Sequence, residues 1–284
     1  MNRLSRAALI PFAVIALAMG LTSCAFLQQV VQPPTVSFNN ASFRAADWES
    51  LQVDLHFDLH NPNSVGVRLS GYAMKFAVEG LTLLDGEVNK PLDLRGGATT
   101  DLVLPVKIKW KELGAKLLDS GSVPDSLAYT ASGDMKFNTP IGLLAIPFSK
   151  KGKIPVIKPP SVRPVGIRVQ KASLTSVKLA IDFEISNGTA KAMSLAGFDH
   201  SLKLNGLSVL QGSIAKPVKV EGGKNSRQSL VVDLSMAKVA GALGSVLMSG
   251  GNLTVALAGK AKVDTGFGKI PWTYNASKSL SLAR

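Results

Sequence analysis

Leu51-Gln52-Val53-Asp54-Leu55-His56-Phe57-Asp58-Leu59-His60-Asn61-Pro62-Asn63 is the stretch whose reading decides the fold. From Leu51 to Leu59 apolar and polar side chains alternate, the period of a β-strand with one buried face. The run stops at Asn61-Pro62-Asn63, where asparagine accepts turn geometry, proline fixes φ and side-chain amides bond nearby backbone. The pattern returns 126 residues later, with Val177, Leu179, Ile181, Phe183 and Ile185 at the apolar positions and Asn187 in the place of Asn61.

That offset holds far beyond the strand. Leu69 and Gly71 fall on Leu195 and Gly197, Gly80-Leu81 on Gly206-Leu207, Lys90-Pro91 on Lys216-Pro217, and Gly96-Gly97 on Gly222-Gly223. Downstream, Gly133, Thr139 and Gly142 fall on Gly259, Thr265 and Gly268. Near the end the offset slips to 124, setting Ile146-Pro147-Phe148 against Ile270-Pro271-Trp272. The chain is therefore a tandem repeat. Each copy reads as mostly β, with Glu79-Gly80 and Asn205-Gly206 as tight hairpin turns. Asp85-Gly86, Gly96-Gly97 and Gly222-Gly223 read as further turns. One stretch per copy has helical spacing, Lys109 to Leu118 and Ser235 to Met248, each closed by a glycine-containing turn. Lys150 to Pro164 joins the copies; its start continues the last strand, and Pro159-Pro160 and Pro164 predict a stiff, extended connector.

The chain has 284 residues, 46% of them hydrophobic, one cysteine and a net charge of +13. The apolar fraction excludes wholesale disorder. A lone cysteine excludes an intrachain disulfide and a Cys-based structural zinc site. Arg3 and Arg6 precede an apolar run from Ala7 to Met19, too short for a spanning helix but matching a secretory signal. Leu21-Thr22-Ser23-Cys24 resembles the bacterial lipobox, with Cys24 acylated as the new N-terminus; the alternative is an uncleaved signal anchor with an incidental cysteine. Ala25, not aspartate, follows Cys24, which by the sorting rule of many Gram-negative bacteria implies lipid anchoring in the outer membrane, facing the periplasm. The expected division is 1–23 signal peptide, 24–33 tether, 34–156 first domain, 157–164 proline-rich linker and 165–284 second domain.

Phe57-Asp58-Leu59-His60-Asn61-Pro62-Asn63, followed by Val65, Val67 and Leu69, resembles the WHy domain of the type 2 late embryogenesis abundant (LEA) family. The likeness covers roughly Pro34 to Val156 and, less sharply, Arg163 to Leu282. It implies two tandem antiparallel, fibronectin-like β-sandwiches, each with one short helix among about seven strands. It also implies a non-enzymatic role in desiccation and stress tolerance through protection of other proteins. The second copy departs from the motif, reading Ser186-Asn187-Gly188-Thr189. The turn residues Asn61, Pro62, Asn63 and Asn187 admit two readings, a structural turn and a binding feature that the second copy would lack.

No catalytic constellation is expected. His56 and His60 lie on the same strand face about 13 Å apart, too far to share a metal. They and His200 read as solvated or edge-packed. Asp58 and Glu184 occupy equivalent strand positions without an evident partner. The sequence has no nucleophile elbow, Walker loop or HExxH motif, so no cofactor or metal is expected. Without Arg3 and Arg6 the excess charge is +11, spread along the chain with clusters at Lys107-Lys109-Lys111 and Lys150-Lys151-Lys153. Three Trp and three Tyr supply nucleic-acid stacking poorly. The anionic surfaces within reach of an anchored protein are lipid headgroups and lipopolysaccharide, with plain solubility as the alternative purpose of the charge. Three functions follow: protection of envelope clients under desiccation, a lipid- or glycan-binding or transport module, and a structural subunit of an envelope complex.

Overall fold

The structure is a computed structural model that describes residues 31–114, 123–239 and 242–283. The signal segment, Cys24 and most of the tether lie outside the described residues. The first copy forms β1 (Thr35–Arg44), β2 (Ser50–His60), β3 (Val67–Val78), β4 (Leu81–Val88), β5 (Leu92–Leu94), β6 (Thr99–Lys109), β7 (Ser126–Thr139) and β8 (Gly142–Pro155). The second forms β9 (Ser161–Ala172), β10 (Ser176–Ser186), β11 (Met193–Leu204), β12 (Leu207–Ile214), β13 (Val218–Val220), β14 (Asn225–Ser235), β15 (Asn252–Asp264) and β16 (Lys269–Ala283). Each copy thus has eight described strands rather than about seven, the short β5 and β13 being the additions.

In the first copy β1-β2-β6 form one sheet and β4-β3-β7-β8 the other, with β5 on β3. In the second the order is β12-β11-β15-β16-β9-β10-β14, with β13 on β11. In the first copy β3 runs antiparallel to β4, β5 and β7. In the second the pairing is antiparallel except at Leu282↔Ile167 and Ala283↔Arg168, where β16 and β9 run parallel and bring the sheet toward a barrel. The fold is the expected mostly-β sandwich.

The alternating strand behaves as its period requires. Leu51, Val53, Leu55, Phe57 and Leu59 are all at most 1% exposed. Phe57 meets Phe38 and Phe148 edge-on at 5.5 and 5.1 Å, the offset geometry aromatic rings favour. Its counterpart Phe183 stacks on Phe198 at 5.9 Å, and the stack continues to Tyr274 at 5.0 Å and Trp272 at 4.9 Å. Glu79 and Asn205 sit at positive φ with Gly80 and Gly206 behind them, the two-residue hairpin geometry their sequence predicts.

Several expectations are corrected. Asp85-Gly86 is not a turn but lies inside β4, as its repeat counterpart Gly212 lies inside β12. Both are edge strands, where an exposed glycine interrupts no buried packing. Lys109 ends β6 and Trp110–Leu113 form a 3-10 turn; residues 115–122 of the expected helical stretch and its closing turn lie outside the described residues. In the second copy Ser235 closes β14, and α1 (Met236–Val239) and α2 (Ala242–Ser249) follow. Pro164 belongs to β9, opposite Phe183 at a register shift, where a missing N–H is tolerated.

Contacts divide the chain into two compact units. One holds the described residues up to Ser42 with Val53–Val106 and Ala128–Lys153; the other holds Phe43–Gln52, Lys107–Leu127 and the chain from Ile154. Within the second unit Trp48 Nε1 donates to Pro271 O at 2.9 Å and Ala45 N–H donates to Phe267 O at 2.9 Å.

Close approach of backbone explains one repeated glycine pair. A Cβ on Gly133 would come within 2.0 Å of Ala73 O, and one on Gly259 within 1.9 Å of Asp199 O. Nothing lies within 4 Å of a Cβ on Gly86. Gly259→Ala therefore lowers the stability of the purified chain by about 2 kcal/mol or more in urea unfolding, while Gly86→Ala leaves it unchanged or raises it by ~0.5 kcal/mol. Equal midpoints for the two variants would contradict the crowding argument.

Candidate functional site

The motif turn is built from buried amides. Asn61 is fully buried, and its Nδ2 donates to Val65 O at 2.8 Å, Leu94 O at 3.2 Å and Arg95 O at 3.4 Å. Its Oδ1 accepts from the Asn63 N–H at 3.1 Å and from Asn63 Nδ2 at 2.9 Å. One side chain thereby ties the end of β2, the start of β3 and the end of β5. Asn63 fastens the incoming chain: Gln32 N–H donates to Asn63 Oδ1 at 2.7 Å, and Asn63 Nδ2 donates to Gln32 O at 2.7 Å.

The second copy reproduces this clasp at every partner, each displaced by 126 residues. Asn187 Nδ2 donates to Lys191 O at 2.9 Å, Val220 O at 3.1 Å and Glu221 O at 3.3 Å, and its Oδ1 accepts from Thr189 N–H at 2.9 Å. Thr189 takes over the work of Asn63 with a single hydroxyl, accepting from Lys158 N–H at 3.1 Å and donating to Lys158 O at 3.3 Å. A hydroxyl both donates and accepts, so the replacement keeps both bonds. The departure of Asn187-Gly188-Thr189 from Asn-Pro-Asn therefore keeps the backbone N–H bond inside the turn and both bonds to the incoming chain, and gives up the side-chain bond that Asn63 Nδ2 makes to Asn61 Oδ1. Pro62 is half-buried and contributes its fixed φ.

The remaining candidates stand apart. Cys24 lies outside the described residues. His56 Nε2 lies 3.3 Å from Ser42 Oγ, and its Nδ1 3.7 Å from Asp101. His60 Nδ1 lies 3.2 Å from Thr99 Oγ1. His200 is buried, and its Nδ1 has no hydrogen-bond partner among the described residues. It pairs with Gly212 on one side and Gly259 on the other, as Met74 pairs with Gly86 and Gly133 in the first copy; an imidazole fills the slot of a thioether. Among the described residues no group of three or more His, Cys, Asp or Glu is placed to hold a metal.

Asp58 and Glu184, expected to be without partners, both have them. Asn39 Nδ2 donates to Asp58 at 3.2 Å. Glu184 accepts from Arg163 at 2.6 and 2.9 Å and from Asn225 at 3.0 Å. The Arg163 hydrogen bond, above all, holds the Glu184 carboxyl below its usual range. Arg168 and Arg227 converge on buried Asp182. Burial pushes the Tyr274 phenol well above its usual range, with Asp199 adding to the effect; its Oη donates to Asp199 O at 2.9 Å.

An open basin of about 650 Å3 in the second unit has no local signature in the sequence. Trp48, Trp110, Asp47 and Lys107, Lys109 and Lys111 line it. The two indoles are 62 positions apart in sequence and are brought together by the Trp110 N–H donating to Glu49 O at 2.9 Å. Asp47 shapes the rim. Burial pushes its carboxyl up, but the Ser50 hydroxyl, the backbone N–H groups of Glu49 and Ser50, and Lys107 together hold it below its usual value. Lys109 pairs with Glu112 at 3.3 Å. Of the other lysine cluster, Lys150 sits 4.7 Å over the Phe38 ring.

The charge, expected to be spread along the chain, divides by copy. Residues 34–156 carry 13 Lys+Arg against 13 Asp+Glu, whereas 157–284 carry 17 against 6. The whole excess of +11 belongs to the second copy.

The clasp makes a sharp prediction. Asn61→Asp or Asn187→Asp points a carboxylate oxygen at three carbonyls, costing about 3 kcal/mol at neutral pH. Burial raises the folded-state pKa of the new carboxyl above its unfolded value, so the penalty grows as pH rises from about 4 to 7 and shrinks on acidification. Urea midpoints at both pH values check this. A ligand-only role for the turn predicts midpoints equal to the parent protein.

The sequence profile of the family described as "Late embryogenesis abundant protein" matches residues 56–152. No curated protein matches the chain. Among solved structures, a protein from Archaeoglobus fulgidus is 12% identical, over 44% of this chain and 96% of its own, with a TM-score of 0.33. AT1g01470 from Arabidopsis thaliana is 22% identical, over 44% of this chain and 83% of its own, with a TM-score of 0.37. A putative late embryogenesis abundant protein, At2g46140.1, is 19% identical, over 55% and 94%, with a TM-score of 0.38. The Asn61 clasp lies within the segment, residues 56–152, that is similar to the late embryogenesis abundant family.

Proposed function

We propose that this protein is a non-enzymatic lipoprotein of the cell envelope, anchored in the outer membrane through Cys24, whose two LEA type 2 domains protect envelope clients during desiccation or related stress. The observation that carries the reading is the family match over 56–152. The clasp supports a surface-acting rather than a catalytic role. The amides of Asn61, Asn63 and Asn187 are engaged with the protein's own backbone, so the family motif builds the domain instead of presenting reactive groups. Protection then acts through the outer surface. The second copy, with 17 basic against 6 acidic residues, offers weak, multivalent contacts to acidic clients and keeps them apart as water is withdrawn.

The Trp48–Trp110 basin favours a second reading, a module binding an anionic glycan or lipid headgroup. Indole faces and lysines together suit such a ligand.

Drying tests the first reading. A model enzyme dried with the purified protein retains more activity than with an equal mass of albumin, and the advantage falls when salt screens the second copy's charge. Protection no better than albumin's would overturn it. The second reading predicts a salt-reversible change in Trp48 and Trp110 fluorescence on titration with lipopolysaccharide or anionic vesicles, and an unresponsive spectrum contradicts it.

A further inference from the structure

Val65, Ile141 and Leu143 are large apolar side chains left 49%, 47% and 68% exposed. All three stand at one end of the first compact unit. Arg68 near the start of β3 pairs with Asn138 near the end of β7. The segment before β3, with Val65, and the turn after β7, with Ile141, therefore lie side by side. The chain enters at the same end, where Gln32 exchanges two hydrogen bonds with Asn63. Arg95, an exposed cation, gives its carbonyl to Asn61 there.

The second copy shows this end of the fold when covered. Thr265-Gly266-Phe267-Gly268 is the counterpart of Thr139-Pro140-Ile141-Gly142. In each, the threonine hydroxyl donates to the carbonyl of the closing glycine, at 3.0 and 2.8 Å. In the second unit Phe267 packs edge-on against Phe43 at 6.3 Å and accepts the Ala45 N–H at 2.9 Å. Ala45 O lies where a Cβ on Gly268 would come within 2.0 Å, while at Gly142 nothing lies within 4 Å. Among the described residues the same turn is capped in one copy and bare in the other, and the bare one carries Ile141 with Leu143 beside it.

Cys24 lies eight residues before Gln32, a reach of at most about 28 Å even when fully extended. We propose that the Val65–Ile141–Leu143 end of the first unit is the membrane-contacting face of the protein. These side chains sit in the headgroup region of the bilayer that holds the anchor, with Arg95 on its anionic lipids. The proposal rests on the lipoprotein reading above. The short tether keeps this end within reach of the bilayer, and an interface accepts apolar side chains without a matched partner surface.

The test uses the full lipidated protein in phosphatidylethanolamine–phosphatidylglycerol vesicles. An environment-sensitive fluorophore is placed at Leu143→Cys or, as a control at the other end of the unit, at Thr82→Cys. With Cys24 acylated, each variant has one free thiol, and both labelled positions are exposed, so melting should match the parent. The label at 143 is expected to shift to the blue and to be quenched by nitroxide lipids, and the label at 82 to do neither. A label at 143 as water-exposed as that at 82, on acylated protein, overturns the proposal alone. Cross-linking of 143 to a second copy of the chain, with no lipid quenching, overturns it in favour of self-association. An unacylated Cys24 in the mass of the N-terminal peptide overturns the anchor reading and the proposal with it.

Discussion

One buried amide holds each copy together. The Asn61 side chain reaches three carbonyls on two other segments and orders Asn63, which clasps the incoming chain. Without a partner, each of those groups would be a polar atom buried in a sandwich end, at about 1–3 kcal/mol apiece. The turn is therefore a junction rather than a connector: it sets where β3 starts, where β5 ends and how the chain enters. Asn187 and Thr189 rebuild it in the second copy with different residues at two positions, Gly188 for Pro62 and Thr189 for Asn63. Its survival through that change identifies the bonds, rather than the letters Asn-Pro-Asn, as what the fold requires.

Much of this architecture is legible in the sequence, for identifiable reasons. Period-2 alternation from Leu51 to Leu59 is a local signal, and so are the Glu79-Gly80 and Asn205-Gly206 hairpins. The repeat offset supplies long-range information that a single copy lacks. The clasp was visible only as turn chemistry, because its partners Leu94 and Val220 lie 33 residues away from their asparagines. Asp85-Gly86 misled because turn residues on an exposed edge strand cost little. Nothing local in the sequence signals that a backbone bond from Trp110 to Glu49 brings Trp48 and Trp110 to one basin.

The two copies share a frame and differ at the surface. Turn, hairpin and close-packed glycines are held in common, because those positions have one physical solution. Charge is not: the first copy is balanced and the second carries the full excess. His200 in the place of Met74 shows the same freedom inside the sheet, where shape was kept and polarity was not. A duplicated domain relieved of identical contacts leaves one copy to face an anchoring surface and the other to meet clients, the division of labour proposed above.

The claim that the clasp is a rigid junction is tested most directly by native-state amide hydrogen exchange. Residues 61–66 and 187–192 have the sequence of surface loops, which exchange within their local opening free energy. The account predicts that the amides of Asn61, Asn63, Asn187 and Thr189 exchange as slowly as those of central β2 and β10. Exchange as fast as at the Glu79-Gly80 hairpin tip would contradict it.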